Sequence, residues 1–119
     1  MNINFKGIYA ANIVPLESDK SIDTENLIKH VREISEVKGI KGLLVNGHAG
    51  ENFTLSANEQ IKVLRIIKES IKNDSLIISG VNFEDPQEGA LVAKEMLNSG
   101  ANAILIFPPF SWSQGISTK

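Results

Sequence analysis

Val45-Asn46-Gly47-His48-Ala49-Gly50-Glu51 follows directly on a short apolar run, Gly42 to Val45, and places two glycines within four residues. That spacing marks a backbone that turns tightly or lets another group approach closely. His48 sits between the glycines, whereas the other histidine, His30, falls in a helical pattern. A buried strand that ends in such a turn and leads on to a helix is the repeating unit of α/β folds.

The unit recurs on both sides. Gly7 to Pro15 reads as a strand and loop ended by proline. Asp23 to Lys38 carries Leu27, Ile28, Val31, Ile34 and Val37 at helical spacing, with Ser21 or Asp23 as N-cap and Gly39 just past the end. After the glycine turn, Ser56-Ala57-Asn58-Glu59 is a capping box: the serine accepts an N–H of the first turn while the glutamate reaches back. Ile61, Leu64, Ile67 and Ile71 form the stripe behind it, broadened by Val63 and Ile66. Leu76 to Ser79 is a third strand, stopped by Gly80. Asp85-Pro86 starts a third helix, since proline's missing N–H costs nothing at the first helical position. Ala90, Ala93, Met96 and Leu97 are expected to face inward, with Gly100 closing the helix. Ala103 to Phe107 is a fourth strand, ended by Pro108-Pro109.

Strands alternating with helices, joined by right-handed crossovers, run parallel. Their continuous apolar character suits strands covered on both faces. Two architectures fit: a small doubly wound sheet, or the first half of a (β/α)8 barrel. Each places functional groups at the C-terminal ends of the strands. The segments there are Val14-Pro15-Leu16, Asn46 to Glu51, Gly80-Val81-Asn82 and Pro108-Pro109-Phe110.

The 119 residues suffice for one domain with a real core, and nothing in them reads as a linker. A hydrophobic content of 42% and a charged content of 22% are ordinary for a globular protein. The net charge of −2 provides no basic footprint for nucleic acid. No apolar run approaches the roughly 20 residues that span a bilayer, and the first residues lack a signal-peptide core. A cytoplasmic enzyme or binding domain is expected. There is no cysteine, hence no disulfide and no thiolate chemistry, and the two histidines show no metal-ligand spacing.

The turn itself lacks the G-x-G-x-x-G pattern of dinucleotide sites and the Lys-Ser/Thr of a P-loop. It offers a cluster of backbone N–H groups able to hold a carboxylate or phosphate oxygen. His48 adds a hydrogen bond or a proton, or else is a solvated loop residue. Glu51 is a general base or, as favoured for an acid just past a glycine turn, a brace that accepts backbone N–H groups. Asn46 and Asn82 are polar site-liners or turn-formers. His30 reads as a solvated residue favoured by the helix dipole. Phe110 and Trp112 read as packing residues that could also close over a ligand or meet another subunit. The lysines read as solvated helix residues, none inside a strand.

The order of these pieces resembles the dihydrodipicolinate synthase/N-acetylneuraminate lyase family of class I pyruvate-dependent aldolases. Gly7 through Val14-Pro15-Leu16 stands where that family has a strand ending in Thr-Pro-Phe. Gly47-His48-Ala49-Gly50-Glu51 stands for its G-T-T-G-E turn, and Leu55-Ser56-Ala57-Asn58-Glu59 for its Leu-Ser/Thr-x-x-Glu helix start. Ser79-Gly80-Val81-Asn82 matches the third strand's glycine loop, and Pro108-Pro109-Phe110 the Pro-Tyr-Tyr or Pro-Pro-Tyr motif after the fourth. The resemblance implies an α/β fold, four βα units forming the first half of a TIM barrel, with residues 1–119 a single truncated domain.

It further implies a lyase or aldolase that forms a Schiff base with pyruvate or a related 2-oxo acid, needs no metal or other cofactor, and forms homo-oligomers when full-length. Gly47, Ala49 and Gly50 would bind the substrate carboxylate, Glu51 would brace the loop, and Phe110 and Asn82 would line the site or an interface. The family's imine lysine and one catalytic tyrosine lie on its sixth and fifth strands, so the expectation is an inactive fragment. Four positions depart from the pattern: Val14, His48 and Ala49 replace threonines, and Phe110 replaces a relay tyrosine. They imply a divergent subgroup in which His48 takes over proton transfer or binds a substrate oxygen. The alternative is a non-catalytic module binding a small anion, flavodoxin-like or a half-barrel, or a gene fragment without function.

Overall fold

Short apolar runs give this chain four strands, and the computed structural model, which describes residues 2–115, arranges them in one parallel sheet. The strands are β1 (Ile8–Ala11), β2 (Ile40–Val45), β3 (Leu76–Val81) and β4 (Ala103–Ile106), in the spatial order β1-β2-β3-β4. Consecutive order is that of a barrel wall. A flavodoxin-like sheet would place β1 between β2 and β3, so that architecture is excluded. Pairing runs Ala11 to Leu44, Leu44 to Ile78 and Ile78 to Ala103.

Three helices connect the strands: α1 (Thr24–Ser35), α2 (Ala57–Ser70) and α3 (Pro86–Asn98). Each begins where a side chain satisfies a free N–H. The Asp23 carboxylate accepts from Asn26 N–H at 3.0 Å, and Asp85 accepts from Gln87 N–H at 2.7 Å ahead of Pro86. The capping box is complete: Ser56 Oγ accepts from Glu59 N–H, and Glu59 accepts from Ser56 N–H at 2.8 Å. Of the two caps proposed for α1, Asp23 is the one used. The helix stops at Ser35, short of Lys38, and leaves Val37 exposed.

Residues of alternate parity in the strands face the helices. Leu43, Val45, Ile77 and Val81 pack with Leu27, Val31, Val63, Leu64, Ile67 and Met96 in a fully buried core. The other parity carries Tyr9, Leu44, Ile78 and Leu105 on the face that no helix in the described residues covers. The strands' apolar character therefore reflects one face covered by helices and one lining the inside of a barrel wall.

Three expectations change. Gly80 lies inside β3 and does not end it. On α3 the buried face is Gly89 and Met96 with Val92 and Ala93 half-buried, while Ala90 and Leu97 are exposed. The reason is Phe83: its ring lies where a Cβ on residue 89 would be 2.5 Å from Cγ, so the glycine must face it and sets the helix's rotation. Lys41 lies within β2, but near its N-terminal end, where its Cβ and Cγ pack over Gly7.

Candidate active site

Because the four strands are parallel, the segments that follow them gather along one edge. After β2, Asn46 takes the left-handed conformation (φ 54°), a one-turn 3-10 segment spans His48–Gly50, and Glu51 is left-handed again (φ 51°). The left-handed positions are thus filled by an asparagine and a glutamate, while Gly47 is extended. Gly50 sits close against the β1 loop: a Cβ there would lie 3.1 Å from the Asn12 carbonyl oxygen and 3.4 Å from Val14 Cγ2. The β1 loop closes onto the turn at that point.

Gly50 N–H donates to Gly47 O at 3.1 Å and Glu51 N–H to His48 O at 3.0 Å. The N–H groups of His48 and Ala49 have no acceptor among the described residues. Gly47 and Gly50 are buried while His48 and Ala49 are exposed, so the two residues with available N–H donors lie at the surface of a turn anchored on both sides.

The anchor is a network of amides. Asn46, 1% exposed, directs Nδ2 at Gln60 O (3.1 Å), Ser79 Oγ (3.3 Å) and Met96 Sδ (3.8 Å). Asn52 Nδ2 donates to Asn46 O at 2.7 Å, and Gln60 Nε2 donates to Asn52 O at 2.8 Å and Leu55 O at 3.1 Å. Asn46 therefore ties the turn to α2, β3 and α3, which is a structural role and not that of a site-liner. Asn52, Gln60 and Ser79 escaped the sequence reading. Gln60 had a signal, since it shares the helical stripe of Val63, Leu64 and Ile67, and a glutamine there must find buried partners.

The Glu51 carboxylate makes no hydrogen bond among the described residues. Bracing at this position comes from its backbone, whose carbonyl accepts from Thr54 N–H and Thr54 Oγ1, each at 2.8 Å. His30 is not simply solvated: its Nε2 accepts the Ile13 N–H at 3.2 Å and ties the β1 loop to α1.

His48 lies in an aromatic group that joins the β2 and β4 segments. Its ring stacks on Phe107 with centroids 4.1 Å apart and planes 18° apart, and lies near-parallel to Phe110 at 6.1 Å. Phe53 meets both His48 and Phe110 edge-on. Glu84, from the β3 loop, accepts the N–H groups of Phe110 (2.9 Å) and Ser111 (3.4 Å) and the Ser111 hydroxyl. Asn82, whose amide atoms are buried without a hydrogen-bond partner among the described residues, lines a cleft of about 290 Å³ with Asn52, Gln60, Glu84 and Phe110. Trp112 is exposed. Among the described residues no group of three acidic or histidine side chains could hold a metal ion.

Hydrogen bonding to the charged form sets the acidic groups. The Ser111 hydroxyl, then the Ser111 and Phe110 N–H groups, hold Glu84 below its ordinary value of 4.5. Ser56 does the same for Glu59, and Asn26 lowers Asp23 below 3.8. A carboxyl depressed in the folded state contributes stability above its unfolded value and loses it as pH falls through the folded value. The urea midpoint is therefore expected to hold steady from neutrality to about pH 5 and to fall progressively below about pH 4.5. A midpoint unchanged down to pH 3 would show that these caps contribute nothing.

A family model described as the Dihydrodipicolinate synthetase family matches residues 4–116. The chain belongs to this family. Among solved structures it is similar to CdNal from Clostridium difficile in complex with mannosamine, at 28% identity and a TM-score of 0.81 over 98% of this chain and 39% of that one. It is also similar to N-acetylneuraminate lyase from Fusobacterium nucleatum (26%, TM-score 0.77, 96% and 38%). Dihydrodipicolinate synthase from Bacillus clausii compares at 25% and 0.80, over 87% and 35%. The chain thus spans less than two fifths of the length of these relatives. Its four parallel strands and the three helices between them correspond to the N-terminal part of the dihydrodipicolinate synthetase family's TIM barrel. Lys41, the one lysine inside a strand among the described residues, sits at the opposite end of β2 from the turn.

Proposed function

We propose that these strands and helices form the carboxylate-binding wall of a Schiff-base lyase or aldolase acting on pyruvate or a related 2-oxo acid. The observation that carries this reading is the pair of consecutive N–H groups at His48 and Ala49 without an acceptor among the described residues, at the C-terminal edge of a parallel sheet. Two neighbouring donors on a turn suit a carboxylate, which accepts charge-assisted hydrogen bonds. Gly47 and Gly50 shape that cradle, and His48 supplies the proton-handling group. The imine-forming lysine comes from outside residues 1–119, and the imine is itself the electron sink, so no further cofactor enters the reading.

Ala49 and Phe110 carry no hydroxyl, which points to a subgroup whose proton traffic passes through the imidazole of His48. The β4 segment with Phe110 supplies a subunit contact of a cytoplasmic homo-oligomer.

Amide resonances test the cradle directly. Pyruvate titrated into the protein is expected to move the His48, Ala49 and Gly50 N–H signals, while chloride at equal ionic strength leaves them in place. If the pyruvate shifts fall elsewhere, the carboxylate does not bind this turn. Borohydride reduction in the presence of pyruvate, followed by peptide mapping, should place no adduct within residues 1–119. An adduct on Lys41 or any other lysine of this stretch would overturn the assignment.

A further inference from the structure

We infer that Glu84 is a positioning residue, whose carboxylate sets Phe110 against His48. The inference rests on the reading of His48 as the group that meets substrate. Its structural half stands on geometry alone.

The β4 segment has few backbone donors to anchor it. Phe107 N–H extends the sheet ladder by donating to Val81 O at 3.2 Å. Pro108 and Pro109 have no N–H at all. The next two donors, Phe110 and Ser111, both go to Glu84, and the Ser111 hydroxyl joins them. One carboxylate from the β3 loop therefore fixes the start of the short 3-10 segment Phe110–Gln114.

The rings around His48 are consequently held by two independent devices. Phe107 is fixed by the ladder and stacks on the imidazole at 4.1 Å. Phe110 is fixed by Glu84, near-parallel to the imidazole at 6.1 Å and edge-on to Phe53 at 6.0 Å. Loss of the Glu84 carboxylate removes the acceptor of the Phe110 and Ser111 N–H groups, so the Phe110 ring shifts, and leaves Phe107 in place. His48 then keeps Phe107 and the edge-on Phe53 and loses the near-parallel Phe110, so its orientation loosens while the core below remains intact.

The test uses the ring-current shifts of the His48 imidazole C–H signals in the full protein. Glu84→Ala is expected to move them in the same direction as Phe110→Leu, with only a modest fall in thermal midpoint, because the hydrogen bonds lost are those of an exposed carboxylate. Glu84→Gln, which retains one acceptor oxygen, should move them less. In turnover of a 2-oxo acid substrate, Glu84→Ala should lower kcat on the order of tenfold with KM little altered, as expected of a misplaced catalytic group.

His48 signals that stay put in Glu84→Ala but move in Phe110→Leu would overturn the inference, as would signals that move in neither. Shifted signals with an unchanged kcat would also overturn it, provided His48→Ala is impaired. If His48→Ala itself turns over normally, the catalytic reading of His48 fails, and the positioning role of Glu84 in that reaction falls with it. The shift comparison between Glu84→Ala and Phe110→Leu still separates that failure from an error in the geometry.

Discussion

Gly80→Ala is expected to destabilise this protein by about 3 kcal/mol or more, the upper range for overpacking a filled site. A Cβ on residue 80 would lie 2.2 Å from the Asn46 carbonyl oxygen, 2.9 Å from its carbonyl carbon and 2.7 Å from Phe107 Cε2. Two of those atoms are backbone and cannot swing aside. Relief requires β2 to separate from β3 at the residue whose side chain anchors the glycine turn. Domains of this size have a total stability of roughly 5–15 kcal/mol, so the variant should show a large drop in urea midpoint and a loosened turn. Gly47→Ala is the control: its Cβ would meet only Leu44 side-chain carbons at 3.4 Å, in a conformation open to any residue. Equal midpoints for the two variants would show that the close approach at Gly80 is not what holds the strands in register.

His48→Ala is expected to cut kcat/KM of the complete enzyme on a 2-oxo acid by at least about 10²-fold, the range for removing a general acid or base. The alanine variant alone does not separate proton transfer from packing, because His48 also stacks on Phe107. His48→Phe does. It restores a planar ring to the stack and removes the titratable nitrogens, so it should be as impaired as alanine. If phenylalanine restores activity, the imidazole is a packing element and the proton passes elsewhere.

Much of the fold was written locally. The caps at Asp23, Ser56 and Asp85 are short-range hydrogen bonds between residues two or three apart, and each was legible because the partners are neighbours in the chain. Strand starts followed from apolar runs in the same way, to within two residues. The motifs that resemble the family were contiguous too, so the turn from Gly47 to Glu51 could be recognised before any contact was known.

What stayed hidden depends on residues distant in sequence. Gly80 reads as a stop signal until the carbonyl of Asn46, 34 positions earlier, is seen against it. The rotation of α3 follows from Phe83 lying over Gly89. Glu84 is one acid among several until Phe110 and Ser111, 26 and 27 positions later, are found donating to it. His30 looked solvated because its partner, Ile13, belongs to a different element.

The sequence by itself determined the βα repeat, the helix starts, the family resemblance and the glycine turn, all properties of neighbouring residues. Periodicity left a barrel wall and a doubly wound sheet both open, the resemblance implied the barrel, and the tertiary structure shows its strand order. Tertiary structure alone decided that Gly80 has no room for a Cβ, and that the turn rests on Asn46, Asn52 and Gln60 with the Glu51 side chain taking no part. The reason is physical: parallel strands pair through connections of some thirty residues, and a contact closed over that span leaves no local periodicity behind.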